Sequence, residues 1–265
     1  MAASVLGIPA VAYAIALASF FYGSLHAATA GYQRWLWLQR GRTPPEGNGL
    51  LAAALINPVP PTLRRTGGGE GLTIPIRSVA YNESTAEVPP WLRTTHTRPR
   101  VYLRLGTVSF GAIEVLSRAV AEIAALDVDV PVTVGPEGEP AALGEVQDNV
   151  YVERFVAQSA VLPLVDLIVH HGGTGTVLRA LEVGLPQLLL PQGAGQFLNA
   201  EILAAAGAAR ALPNVAQQPG AIGEAVRELL GDAPERQAAR RLRNEIAAMP
   251  SPADVVPSLV TLAGG

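Results

Sequence analysis

From Val101 onward the chain alternates between short unbroken apolar runs and longer stretches in which apolar residues recur at helical spacing. VYLRLGTVSF reads as a strand entering a Gly-Thr turn, and IEVLSRAVAEIAAL as an amphipathic helix. VPVTVG is the next strand, and NVYVERFVAQ a strand and its loop. Asp166 to Gln192 repeats the rhythm most clearly. Leu167, Ile168 and Val169 predict a buried parallel strand. Val177, Leu178, Leu181 and Leu185 predict a helix, which Gly184 and Pro186 end, and QLLLPQ is a further strand. QFLNAEILAAAG is a helix ending in Gly207, AARAL a short strand, and two Ala/Arg/Glu-rich helices fill residues 219 to 248. Strands alternating with helices imply a parallel sheet covered on both faces, with ligands bound off the strands' carboxyl ends.

The first hundred residues are less regular. The run from Val5 to Leu25 is long enough to cross a bilayer, and residues 1–33 carry no Asp, Glu, Lys or Arg. MAAS lacks the positive start of a signal peptide. Gly7 and Pro9 look like the end of a buried strand. Helical periodicity starts around Tyr13, with Trp35, Leu36 and Leu38 continuing its apolar face. This reads as buried α/β core, and therefore as a cytoplasmic chain, although a membrane association through residues 1–33 stays open. LLAAALI, ending at Asn57, is a candidate strand, and LTIPIRSVAY a Pro-interrupted strand near an edge. NESTAEVPPWLRTTHTRPR has no periodicity and reads as a linker anchored by Trp91.

Composition narrows the chemistry. The 265 residues are 49% hydrophobic and 15% charged, which is globular. A net charge of −3 without any basic run argues against nucleic-acid binding. With no Cys, thiolate catalysis and cysteine zinc sites are out; with four His, a protein-built metal cage is not expected.

The candidate chemistry lies in HHGGTGT, residues 170–176. Gly172, Gly173 and Gly175 let an anion approach the backbone, and the helix that follows offers unpaired N–H groups and its dipole. Thr174 and Thr176 add hydroxyls. His170 and His171 add a donor, or a positive charge if protonated. The combination suits a phosphate or diphosphate, while a structural turn with two incidental histidines is the plainer alternative. No Lys follows the glycines as a P-loop requires, Leu178 stands where a dinucleotide fingerprint needs a small residue, and no G-x-S-x-G elbow is present.

LGT at 105–107, FVAQ at 155–158, HHGGTGT at 170–176, PQGAGQFLNA at 191–200 and SPADVV at 251–256 occur in an order and spacing that resemble nucleotide-sugar glycosyltransferases of the two-lobed GT-B type. The likeness is to the antibiotic-type enzymes that move deoxysugars from dTDP onto polyketides. It implies an α/β fold: a Rossmann-like parallel-sheet lobe binding the donor over 100–265, a linker over 89–99, and the remnant of an α/β acceptor lobe over 1–88. By the same resemblance Gly106 and Thr107 face the donor. Phe155 stacks on the base, Val156 reads it through backbone atoms, and Gln158 contacts the ribose. His170 touches the diphosphate, with His171 beside it, and Thr174, Gly175 and Thr176 supply helix-start donors. Gly195 and Gln196 meet the sugar. The plainer alternatives are Phe155 as core and Gln158 as a turn cap.

Three departures qualify the resemblance. Leu178 replaces a glutamate that binds the ribose diol in UDP-using relatives, which favours dTDP. Gly195 replaces an acidic sugar ligand. The segment that holds the acceptor's catalytic base has no counterpart, and His26 reads as structural or interfacial. The resemblance therefore implies a dTDP-sugar donor without metal or cofactor and a natural-product aglycone as acceptor. It also implies little transfer by the chain alone, with a homodimer or partner lobe as its complement. A nucleotide-sugar-binding protein without catalysis is the competing reading, and a sugar-nucleotide epimerase a weaker one.

Overall fold

The computed structural model describes residues 8–15, 17, 24–43, 54–64, 72–79, 88–94, 96–105, 112–136, 138–213 and 218–264. The chain divides into two compact units, one made of 1–79 with 247–265 and the other of 80–246.

In the first unit β1 (Val11–Tyr13), β2 (Ala54–Asn57) and β3 (Leu72–Pro75) form a parallel sheet in the order β1-β2-β3. Pro75 ends β3, which among the described residues lies at the edge of the sheet, where a proline is tolerated. Helix α1 spans Ser24–Gln39. Among the described residues the first strand thus lies beyond Pro9, and the helix begins later than residue 13. Local periodicity misses this because β1 exists through pairing with β2, more than forty residues on. Trp37 is the buried aromatic of α1, whereas Trp35 and Leu38 are exposed. The His26 side chain lies outside the described residues. Among the described residues no helix is long and apolar enough to cross a membrane.

The second unit carries β4 (Val101–Arg104), α2 (Ala112–Ala124), β5 (Val130–Thr133), β6 (Val150–Glu153), β7 (Leu167–His170), α3 (Thr174–Val183), β8 (Gln187–Leu189), α4 (Gln196–Ala205), β9 (Ala209–Ala211), α5 (Ala221–Leu230) and α6 (Pro234–Ala247). All its strands are parallel, in the order β6-β5-β4-β7-β8-β9. The sequence reading of a Rossmann-like sheet therefore holds. Val101, Leu103, Val169 and Leu188 pack on one face against Leu116, Ile123 and Val226. Tyr102 and Ile168 pack on the other against Val156 and Leu162. Both faces are covered, so these strands are apolar without alternation. Gly184 ends α3 with φ +81°, its amide bonded to the carbonyls of Ala180 and Leu181.

The linker is tied down. Trp91 stacks on Tyr151 with ring centroids 4.5 Å apart and donates to Glu153. The Arg100 guanidinium donates to the carbonyls of Trp91, Leu92 and Thr94. The final helix, α7 (Pro252–Leu262), has a capping box between Ser251 and Asp254. Val255 packs with Ala54 and Ile74, and the Arg77 amide donates to the Pro250 carbonyl at 2.7 Å. Residues 247–265 thus close the first unit, where the sequence reading placed them in the second. The cap is visible in the sequence, but its packing partner is not.

One carboxylate joins two helices of the second unit. Glu122 on α2 accepts from the amides of Gly220, Ile222 and Gly223 at the start of α5, and from Arg118. Burial alone would raise its pKa, but Arg118 and the three amides hold it below the usual carboxylate range. Replacing Glu122 with Ala orphans the start of α5. It should cost about 1–3 kcal/mol in urea unfolding, the scale of a charged helix cap.

Candidate functional site

The strand order reverses between β4 and β7, whose chains leave their carboxyl ends toward opposite sides of the sheet. A crevice opens at such a point. Gly106 and Thr107, expected to line it from β4, lie outside the described residues. The loop from β7 into α3 is described throughout.

His170 is fully buried. Its Nδ1 accepts from the Gly172 amide at 3.1 Å, so Nε2 carries the proton and donates to Gln187 Oε1 at 2.8 Å. Burial, then the neighbouring His171, and then Arg104 push its pKa down to about 3, against the opposing bond to Gln187. The ring expected to touch the phosphates is thus enclosed, with both nitrogens engaged, and it shapes the turn between β7 and α3. Gly172 sits there with φ +92°, and a Cβ on it would lie 3.1 Å from Leu189 and 3.2 Å from the Gln196 carbonyl. His171 is the outer ring, set edge-on to His170 with centroids 6.3 Å apart. Burial and Arg104 lower its pKa to about 4, and its Nδ1 has no partner among the described residues. Its Nε2 lies 2.4 Å from where a Gly173 Cβ would stand, so that glycine makes room for the ring.

Helix α3 begins at Thr174 behind Gly173, with no side-chain cap. The first-turn amides of Thr174, Gly175 and Thr176 therefore keep their hydrogens for an outside acceptor. Asn199 on α4, nearly fully buried, donates to the Gly172 carbonyl at 2.8 Å and to Thr174 Oγ1 at 3.0 Å. Gln158 donates to Thr176 Oγ1 at 3.3 Å. Each hydroxyl, having accepted, retains its own proton to donate. Gly175 faces open space: a Cβ there would meet nothing within 4 Å.

Phe155 is 65% exposed, which removes the reading of it as core, while Val156 is buried behind it. Gln158, two residues further, begins a single-turn helix over Gln158–Val161. Phe155, Val156, Gln158 and Thr176 are thus brought to one side of the sheet, by the short loop from β6 and the Gln158–Thr176 bond. On the loop after β8, Gln196 Oε1 accepts from the amides of Gln192 and Gly193. Gly195 precedes α4 as its N-cap, and Ala194 takes φ +51°, a conformation that costs a residue with a Cβ about 1 kcal/mol.

Leu178 is buried on α3, 5% exposed, so its identity follows from packing. The preference for dTDP over UDP argued from it loses its basis. Three residues escaped the sequence reading. Gln187 and Asn199 are polar within apolar stretches, and that mismatch is their signal. Arg104 breaks the apolar run of β4 in the same way.

A family profile described as erythromycin biosynthesis protein CIII-like, C-terminal domain, matches residues 117–262. L-demethylnoviosyl transferase of Streptomyces niveus is 37% identical over 212 residues, covering 78% of this chain and 55% of its own length. 10-deoxymethynolide desosaminyltransferase of Streptomyces venezuelae is 35% identical, over 78% of this chain and 49% of that protein. The chain spans about half the length of the curated relatives it matches. Among solved structures, spinosyn rhamnosyltransferase SpnG complexed with thymidine diphosphate superposes with a TM-score of 0.85 at 30% identity, covering 98% of this chain and 69% of that one.

Two outcomes are expected of this geometry. Gly175→Ala should leave the melting temperature unchanged or raise it, since Ala favours helix by up to about 1 kcal/mol. It should still weaken diphosphate binding by placing a methyl over the helix start. Gly172→Ala should instead destabilise the fold itself, through its positive φ and two close neighbours. The histidines set a pH dependence. Their folded pKa values of about 3 and 4 lie below the usual 6.5, so the unfolded chain binds more protons between. Stability is full above pH 6.5 and falls as the pH drops toward 4 and then 3, measurable as urea midpoints across that range.

Proposed function

Because the chain belongs to the family of erythromycin biosynthesis protein CIII-like C-terminal domains, we propose that it binds a dTDP-linked deoxysugar. In this reading it serves a glycosyltransferase that moves the sugar to a hydroxyl of a polyketide or related aglycone. What carries the reading is a meeting of features at one strand-order reversal. An open helix start with two oriented hydroxyls lies on the same side as a solvent-facing aromatic. The architecture is shared with SpnG, which is solved with thymidine diphosphate. The dTDP preference rests on that relative and on the TDP-daunosamine transferase of Streptomyces peucetius, 35% identical over 214 residues.

The described residues supply the leaving-group side of the reaction. The acceptor oxygen forms a bond to the anomeric carbon as the bond from that carbon to the diphosphate oxygen breaks, with inversion. Charge gathers on the departing diphosphate, where the amides of Thr174 to Thr176, their hydroxyls and the α3 dipole are already oriented. Donors that need no reorganisation stabilise such charge most. Phe155 stacks on thymine, Val156 presents backbone atoms to its edge, and Gln158 reaches the ribose while holding Thr176. Gly195 and the Gln196 amide lie toward the sugar. The proton of the acceptor hydroxyl goes to a general base that none of these residues provides. His170 is enclosed, and His171 belongs to the diphosphate turn.

Calorimetry should detect dTDP binding to the chain. Phe155→Ala should weaken it by about 1–3 kcal/mol, the scale of base stacking on an aromatic ring, with an unchanged melting temperature. A wild-type chain that does not bind dTDP overturns the proposal.

A further inference from the structure

The anion site described above is short of positive charge, because both of its histidines stay neutral at physiological pH. A diphosphate brings at least two negative charges. The charge that answers them is found in the sheet.

Arg104 is the last residue of β4, the central strand beside the reversal, and is paired in register with Thr133 on one side and His170 on the other. Further pairs extend that line to Glu153 at one end and Leu189 at the other. Paired residues of parallel strands project from the same face, and residues two apart share one. Arg104 therefore stands on the face of Tyr102, whose neighbours include Val156 and Ile168. This is the side that carries Gln158 and Phe155. In the row Glu153, Thr133, Arg104, His170 and Leu189, Arg104 is the only cation.

Its surroundings do not explain it. The Nε is buried and has no hydrogen-bond partner among the described residues. No ion pair of the described residues includes it. The hydroxyl of Tyr102 has its own partner in Thr133 Oγ1, at 2.7 Å. Glu153 is engaged by Trp91. An unpaired guanidinium at a strand's carboxyl end, half withdrawn from water, costs stability unless something negative joins it. Its planar fork matches the oxygens of a phosphate.

We propose that Arg104 binds the diphosphate of the nucleotide and is the charge that neutralises it, the two histidines serving as neutral scaffold and donor. The inference rests on the nucleotide-sugar reading and adds to it the residue that discriminates a diphosphate from an uncharged nucleoside.

The test uses the full chain and its Arg104→Gln and Arg104→Lys variants. Calorimetry measures dTDP and inorganic pyrophosphate, and ligand-observed NMR measures thymidine. For Arg104→Gln, dTDP and pyrophosphate should weaken about ten- to a hundredfold, the scale of a charged hydrogen bond, while thymidine is unchanged. Arg104→Lys should recover part of the loss, since a point charge replaces the fork. Arg104→Gln binding dTDP as tightly as wild type overturns the inference and leaves the nucleotide reading intact. Equal losses of dTDP and thymidine also overturn it, because the residue would then shape the pocket rather than meet the phosphates. Should Arg104→Gln not fold, Arg104→Lys decides alone: dTDP weakened with thymidine retained supports the inference, and no selective loss overturns it. A wild-type chain that binds neither dTDP nor thymidine removes the nucleotide reading and this inference with it.

Discussion

Between the end of β7 and the start of α3 the backbone has three residues in which to reverse its hydrogen-bonding habit from ladder to helix. The bond from the Gly172 amide to His170 Nδ1 fixes how it does so. That bond needs an imidazole without a proton on Nδ1. The bond to Gln187 on the far side needs one on Nε2. A single tautomer of a fully buried ring therefore decides the path of the glycine turn. The path in turn decides where three helix-start amides face. Asn199 completes the constraint by holding the Gly172 carbonyl and the Thr174 hydroxyl from a different helix. The open face of the site is possible because its rear is so fully bonded.

How much of this was legible beforehand depends on whether the deciding interaction is local. The strands of the second unit and most of its helices announce themselves by period, and the glycine turn by composition. The role of His170 was not legible, because HHGG does not say which ring faces inward. Strand alternation and the partner Gln187, seventeen residues on, make that choice. Leu178 shows the same failure from the other side. Its place in the motif suggests a replaced ligand, but its helical phase buries it. Phe155 could not be placed as core or surface until the loop after β6 was seen to leave it in solvent. In the first unit, β1 and the partner of α7 depend on contacts that no local pattern contains.

Charge is distributed unusually around the reversal point. The groups that look cationic in the sequence are held neutral by burial, and the remaining positive charge comes from a strand that otherwise reads as core. An arginine in such a strand, its Nε buried and without a partner among the described residues, is a cost to its own sheet. Its place is the carboxyl end of β4, beside the strand-order reversal. The site thus separates two tasks that a protonated histidine would combine: shaping the backbone and balancing the ligand's charge.

The return of α7 to the first unit also governs how such proteins can be recombined. Since 247–265 pack with the unit that begins the chain, the second unit is an insertion, entered near residue 80 and left near residue 246. A chimera made with one crossover between the units would carry a foreign final helix against its own Ala54 and Ile74. Exchange of the second unit between relatives therefore calls for two crossovers. The terminal helix should be inherited with the unit that begins the chain, not with the one inserted into it.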